Sequence, residues 1–219
     1  PLDQVVSHYN HSIEHLGYEG DFNEFIVMAK HKNIQSRYLN ALPISLYGFI
    51  GLTAQYEESL GFINNCYDLD VELKQDNIGK VKSQTKDTLT PEQCNIIEQH
   101  NCEDVILFNK VKALFTQRIV YQKNNQAWVH GWGILNANNH LVGCVYYERS
   151  DEVVLLDFFI NNELAIEFKA NQFTCLYPKA KFPRSRYVGF HVNLNNFKDV
   201  TQVQVKVKET GQIIFEQVI

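Results

Sequence analysis

Three histidines near the start of the chain are the first residues whose type and spacing point to chemistry. His8, His11 and His15 lie in Ser7-His8-Tyr9-Asn10-His11-Ser12-Ile13-Glu14-His15. His11 and His15 are four residues apart, the spacing that sets two imidazoles on one helical face and suits a pair of metal ligands. No third ligand with supporting spacing accompanies them, so no metal is expected. On a helix the three fall on one side, away from the stripe Val5, Tyr9, Ile13 and Leu16, where a plain solvated face is the commoner reading and a polar cleft wall the other. The other reactive groups are positive. Lys80 and Lys82 stand in Asn77-Ile78-Gly79-Lys80-Val81-Lys82, and Lys179, Lys181, Arg184 and Arg186 form a basic run. The net charge is −5, so there is no general attraction for nucleic acid or anionic lipid. An anion site must come from such local groups.

The elements that position these residues fall into two halves with different periods. Composition is ordinary for a globular chain, 45% hydrophobic and 21% charged over 219 residues, enough for one large domain or two modest ones. Residues 1–118 read as helical. Pro1 suits a first helical position, and Val5, Tyr9, Ile13 and Leu16 recur at helical spacing until Gly17. Asp21 with Glu24 forms an N-cap pair ahead of Phe25 and Met28. The apolar run Ile44–Gly51 predicts a buried strand, with Thr53 capping a helix from about Ala54 to Cys66. Thr90-Pro91-Glu92-Gln93 is a capping box with Pro at the first helical position. Asp104 is expected to cap a last helix with the stripe Leu107, Val111, Leu114 and Phe115.

After Arg118 the period becomes two. Thr201–Lys208 alternates without a break, as do Leu164, Ile166 and Phe168. Turn signals recur at Asn124-Asn125, Asn138-Asn139, Asn161-Asn162, Asn195-Asn196 and Thr210-Gly211. Roughly eight short strands at this spacing predict an antiparallel β-sandwich over 119–219. The fold class expected is therefore α+β. Five cysteines (Cys66, Cys94, Cys102, Cys144 and Cys175) with no CxxC pair predict reduced thiols. Cys94 and Cys102 can bridge two helices if the compartment is oxidising. No apolar run approaches the ~18 residues of a transmembrane helix, and no stretch reads as a signal peptide.

The order of motifs in residues 1–118 resembles the carbohydrate sulfotransferase family that includes heparan sulfate 2-O-sulfotransferases. Pro1-Leu2-Asp3-Gln4-Val5-Val6-Ser7 is similar to the Pro of the family's Arg-Asp-Pro and the helix it runs into, with Ser7 at the spacing of the Ser that joins the Arg on the cofactor's 3'-phosphate. Asn33-Ile34-Gln35-Ser36-Arg37-Tyr38-Leu39 is similar to its Asn-x-Gln-x-x-Tyr-Leu. Phe49-Ile50-Gly51-Leu52-Thr53 looks like its late strand and helix start, although Ala54 and Gln55 stand where an acidic residue is common. Asn77–Lys86, Leu89-Thr90-Pro91-Glu92 and Asn101-Cys102-Glu103-Asp104 look like its basic loop and final helices.

The resemblance implies the C-terminal part of a P-loop-like α/β domain that binds PAPS (3'-phosphoadenosine-5'-phosphosulfate) and transfers its sulfuryl group to a carbohydrate hydroxyl. PAP is then the product. The 5'-phosphosulfate loop, the motif's Arg and the general base are expected upstream of residue 1, so catalysis by residues 1–219 alone is not expected. The resemblance assigns Ser7, Lys80 and Lys82 to the cofactor, with His11 assisting as a donor, and Asn33, Gln35 and Arg37 to the acceptor. It implies a bacterial cytoplasmic setting and a polysaccharide or lipid-linked acceptor. The C-terminal half, with Trp128-Val129-His130-Gly131-Trp132 early and Gly189-Phe190 late, resembles accessory sandwich modules beside bacterial glycan-modifying enzymes. Two other readings stay open: a glycan- or protein-binding module on a non-catalytic helical base, and another P-loop-like transferase or kinase. Trp128, Trp132, Tyr146 and Tyr147 are the aromatic candidates for a sugar platform, against core packing as the alternative.

Overall fold

The computed structural model describes residues 2–73 and 88–219. Pro1 and the Asn77–Lys86 loop with Lys80 and Lys82 lie outside the described residues. The chain is α+β, with a helical N-terminal half and two antiparallel sheets in the C-terminal part. It divides into two compact units. One comprises Pro1–Ala41 and Ile50–Phe115, the other Leu42–Phe49 and Thr116–Ile219.

The helical unit contains α1 (Leu2–Leu16), α2 (Phe22–Val27), α3 (Ile34–Tyr38), α4 (Tyr56–Tyr67) and α5 (Pro91–His100), and the start of α6 (Cys102–Lys123). Gly17 ends α1 with φ +65, a left-handed turn that glycine makes without strain. The Asp21 carboxylate accepts from Glu24 N at 2.8 Å and starts α2. Thr90 and Gln93 close the expected capping box of α5 around Pro91. The core is the stripe Val6 and Tyr9 of α1 against Phe22, Phe25 and Ile26 of α2 and Ile97 of α5. Leu16, which the periodicity places in the stripe, is 68% exposed: it lies in the last turn, beyond the reach of α2 and α5.

Two sequence expectations fail here. Thr53 does not cap α4: Thr53–Gln55 is a 3-10 turn, and the α-helix begins at Tyr56. Asp104 does not cap the last helix, which already runs from Cys102. Instead its carboxylate reaches another helix, as described below.

The second unit is a sandwich of seven strands: β1 (Val129–Leu135), β2 (His140–Tyr147), β3 (Leu155–Ile160), β4 (Glu163–Lys169), β5 (Gly189–Asn193), β6 (Gln202–Val207) and β7 (Ile213–Val218). One sheet has the order β1-β2-β5, the other β4-β3-β6-β7, and every pairing is antiparallel. Chain crossings after β2, β4 and β5 give the Greek-key connectivity of immunoglobulin-like sandwiches. The alternation in β6 sends Val203, Val205 and Val207 inward, against Leu141, Val145 and Phe190 of the facing sheet. Each such buried side chain stabilises by about 2 kcal/mol. The Asn turns are the predicted ones: Asn125, Asn139, Asn161 and Asn162 all take positive φ, which Asn tolerates better than other non-glycine residues.

The apolar run Ile44–Gly51 is not a strand. Ile44–Leu46 is a 3-10 turn after Pro43, and no β-ladder includes the residues that follow. Leu46 packs with Cys144 and Val188 on the face of the β1-β2-β5 sheet opposite the shared core. Leu46 lies on a sheet face instead of joining an edge, so its side chain is buried without strand pairing. Among the described residues no helix is long and apolar enough to cross a membrane. All five cysteines are free.

Candidate functional site

A cleft of about 560 Å³ in the helical unit gathers polar side chains from five stretches of sequence. Its first wall is α1. Burying Val6 and Tyr9 leaves Ser7 and His11, one turn apart, facing the cleft with His8 and Val5. Its second wall is the start of α3, which brings Ile34 and Gln35. Thr53 enters from the 3-10 turn before α4. That turn is held by the buried Ser59 hydroxyl, which accepts from Leu52 N at 3.0 Å and donates to Leu52 O at 3.3 Å.

The floor is built by Asn101 and Asp104. The Asp104 carboxylate accepts the backbone N–H groups of Gln35 (3.2 Å) and Ser36 (2.7 Å) and the Ser36 hydroxyl (2.6 Å). It therefore caps α3 from 68 residues away, satisfying N–H groups that a five-residue helix leaves without partners. Asn101 Oδ1 accepts Asn33 N at 3.0 Å, and Asn33 Oδ1 accepts Asp104 N at 3.4 Å. Asn33 sits in the left-handed region at φ 48.

The remaining lining is aromatic. Phe25 and His31 stack at 3.8 Å with 19° between their planes, and His8 meets His31 edge-on at 4.8 Å. Burial, then His8, then Lys30 push His31 down to about 4. Burial, His11 and Lys30 also lower His8. A shallower hollow of about 450 Å³ beside Thr53 carries Glu57 and Glu58, whose charge opposes an anion.

Ser7, His11 and Gln35, named from sequence, thus lie along one cleft. Asn33 and Arg37 do not line it: Asn33 is occupied by Asn101 and Asp104, and Arg37 is exposed on α3. Lys80 and Lys82 lie outside the described residues. Sequence reasoning grouped His8 with a face turned away from the apolar stripe, yet His8 packs on Phe25 at 5.6 Å. It missed His31 and Thr53 as lining residues. The Asn101-x-x-Asp104 spacing was the visible signal for the floor. His31 had no local signal, because Phe25 and His8 create its environment.

The sandwich uses its expected site residues differently. Arg186 donates to the carbonyls of Thr174, Leu176, Tyr177 and Ala180, closing its own loop, and Arg184 donates to Ala170 O at 2.7 Å. Of the basic run only Lys179 and Lys181 are exposed. Trp128 is buried under the Arg118 guanidinium and against Tyr121. Trp132 is half-buried against Tyr177. Tyr146 packs beside His130 and Phe182, and Tyr147 packs on the shared core with its hydroxyl on Glu209 at 2.9 Å. None of these four is an open platform. The exposed aromatic pair is Phe173 (60%) and Tyr187 (54%), edge to face at 5.7 Å.

A buried polar network lies on the outer side of the β1-β2-β5 sheet. Arg118 donates to Gly48 O and to the Glu148 carboxylate. The His130 Nδ1–H donates to Ser45 O at 3.2 Å, and its Nε2 stands 3.5 Å from the same Glu148 carboxylate. Burial and then Arg118 push His130 down to about 4, against the pull of the Ser45 carbonyl. Comparison with protein-family models, curated proteins and solved structures found no match.

Proposed function

We propose that the chain is the C-terminal part of a PAPS-dependent carbohydrate sulfotransferase carrying an appended β-sandwich. The observation that supports the reading is convergence. Ser7 and His11, Gln35, Thr53, and Asn101 with Asp104 come from four separate motif segments, and all line one cleft. Its volume of about 560 Å³ lies within the ~300–1,000 Å³ of small-molecule and cofactor sites. Its donors fit the 3'-phosphate end of PAPS, with a hydroxyl at Ser7 and imidazoles at His8 and His11, and leave the Gln35 amide for the acceptor.

When bound, PAPS supplies the activated sulfuryl group. The residues of this chain bind and orient. The Ser7 hydroxyl donates to the 3'-phosphate, with His11 Nδ1–H or Nε2–H as a second donor one turn further along α1. The resemblance adds Lys80 and Lys82, outside the described residues, as further cations for the nucleotide. Asp104 acts as a positioning residue, because it sets the start of α3 and hence the place of Gln35. Gln35 offers its side-chain amide to the acceptor hydroxyl. The acceptor is a carbohydrate, the setting a bacterial cytoplasm, and the sulfuryl cradle and general base belong to sequence upstream of Pro1.

Calorimetric titration with PAP tests this, on the chain and on a form extended upstream. Saturable binding by the extended form, lost in Ser7→Ala combined with Lys82→Ala, is the expected result. An extended form that binds no PAP sinks the reading.

A second reading, a glycan-binding sandwich, draws on one observation. Phe173 and Tyr187 expose an aromatic pair that the fold does not use for packing, and exposed rings stack on sugar faces. Binding of an acidic polysaccharide that Phe173→Ala abolishes, with PAP inert, favours this reading.

A further inference from the structure

His31 is 8% exposed, and neither ring nitrogen has a hydrogen-bond partner among the described residues. A buried polar atom left so costs ~1–3 kcal/mol. The ring has little freedom to seek a partner elsewhere, since one face is stacked on Phe25 and His8 closes from the side. It lines the cleft, so a molecule in the cleft is what can reach it.

The kind of molecule follows from the surrounding charges. α1 brings His8 and His11, the 3-10 turn Ala29–His31 brings Lys30, and α6 brings Asp104. The contributions of α2, α3, the Thr53 turn and the end of α5 to the lining are Phe25, Ile34, Gln35, Thr53 and Asn101, none of which titrates. The Asp104 carboxylate already accepts three donors from α3. The groups left to meet a ligand are therefore hydroxyl, amide and imidazole, with one ammonium nearby. Neutral imidazole needs both a donor and an acceptor, whereas imidazolium needs only acceptors. A phosphate dianion offers acceptors only. His8 and Lys30 disfavour a proton on His31, and burial does the same. A dianion between these groups reverses the electrostatic balance and favours the proton.

We propose that His31 is a binding residue of this cleft for a phosphate monoester, and that the His8–His31 pair takes up a proton as the phosphate enters. The identity of the monoester as a 3'-phosphonucleotide rests on the sulfotransferase reading; the role of His31 rests on its burial and position.

Titration calorimetry on the full chain separates the two. PAP, 3'-AMP and inorganic phosphate are each titrated at pH 7 in two buffers of different ionisation enthalpy, which counts the protons exchanged. The expected result is uptake of up to about one proton with PAP, and affinity rising about tenfold from pH 7.5 to 6.0. His31→Gln keeps a polar side chain but cannot charge. It should bind about tenfold more weakly, with no proton uptake. PAP binding without proton exchange, and unchanged in His31→Gln, overturns the inference and leaves the sulfotransferase reading standing. Phosphate and 3'-AMP binding with uptake that His31→Gln abolishes, while PAP binds no better than 3'-AMP, sustains the inference and overturns that reading. Failure of all three anions to bind overturns the inference, and the sulfotransferase reading is then decided by PAP titration of the extended form. Melting of unliganded His31→Gln verifies folding, and His31→Asn serves if that variant does not fold.

Discussion

Each unit buries one histidine, and the two environments differ in what the ring nitrogens face. His31 and His130 are both under one-tenth exposed, and both are pushed down to about 4 by burial and a neighbouring positive group. His130 stands against a carbonyl and a carboxylate, inside a network that Arg118 holds together. His31 has no such partners among the described residues and borders an open cleft. The same residue type thus closes a fold in the sandwich and leaves a site in the helical unit. A perturbed imidazole does not by itself mark function; what its nitrogens face does.

The largest way to break this contrast is at Arg118. Arg118→Ala removes the cation beside the largely covered Glu148 carboxylate and the donor to the Gly48 carbonyl. We expect a loss of about 3–5 kcal/mol in denaturant unfolding of the sandwich. Arg118→Met combined with Glu148→Gln should recover part of it, since the buried charge is then gone. An Arg118→Ala variant as stable as the parent would show that the network is ornamental.

Acid sharpens the contrast next. A folded-state value near 4 against about 6.5 unfolded means that the unfolded chain binds the proton more readily. His130 therefore contributes stability that is fully present above pH 6.5 and is lost as the pH falls to 4, about 3 kcal/mol in all. His130→Gln should flatten that part of the stability profile. His31 acts in the same direction in the helical unit, but there a bound phosphate should reverse the sign, because the ligand favours the charged ring. Unfolding measured from pH 7 to 4, with and without PAP, distinguishes the two histidines.

Smaller effects test the floor of the cleft and the frame that carries it. Asp104→Ala removes the acceptor for two backbone N–H groups and a hydroxyl, and should cost about 2 kcal/mol. If Asp104 positions Gln35, this variant also weakens acceptor binding while leaving PAP affinity close to the parent value. Thr90→Ala opens the capping box of α5 at a residue that does not line the cleft. About 1 kcal/mol of stability is expected to go, with ligand affinity unchanged.

How much of this was legible depends on the distance over which each feature is made. The capping box at Thr90, the Asp21 cap, the Gly17 stop and the positive-φ Asn turns depend on neighbours within a few residues, so residue type alone declared them. The change from helical to alternating period declared the two halves for the same reason. Three features ran the other way. Ile44–Gly51 had the composition of a strand, but its Leu46 side chain found a sheet face, where it meets Cys144 and Val188. Asp104 had the look of a local cap, but its carboxylate found unpaired N–H groups in α3. His31, between Lys30 and Lys32, carries no local signal, and it is buried by Phe25 and His8.

For the cleft, the sequence by itself supplied Ser7, His11 and Gln35, through motif order and helical spacing. The tertiary structure alone decided that they share a wall with His31, Thr53 and Asp104. Spacing fixes which side chains share a helix face, because the helix repeat is a local property of the backbone. It does not fix which faces meet, because that is set by the burial of Val6, Tyr9, Phe22, Phe25 and Ile97 together, across nearly one hundred residues of chain.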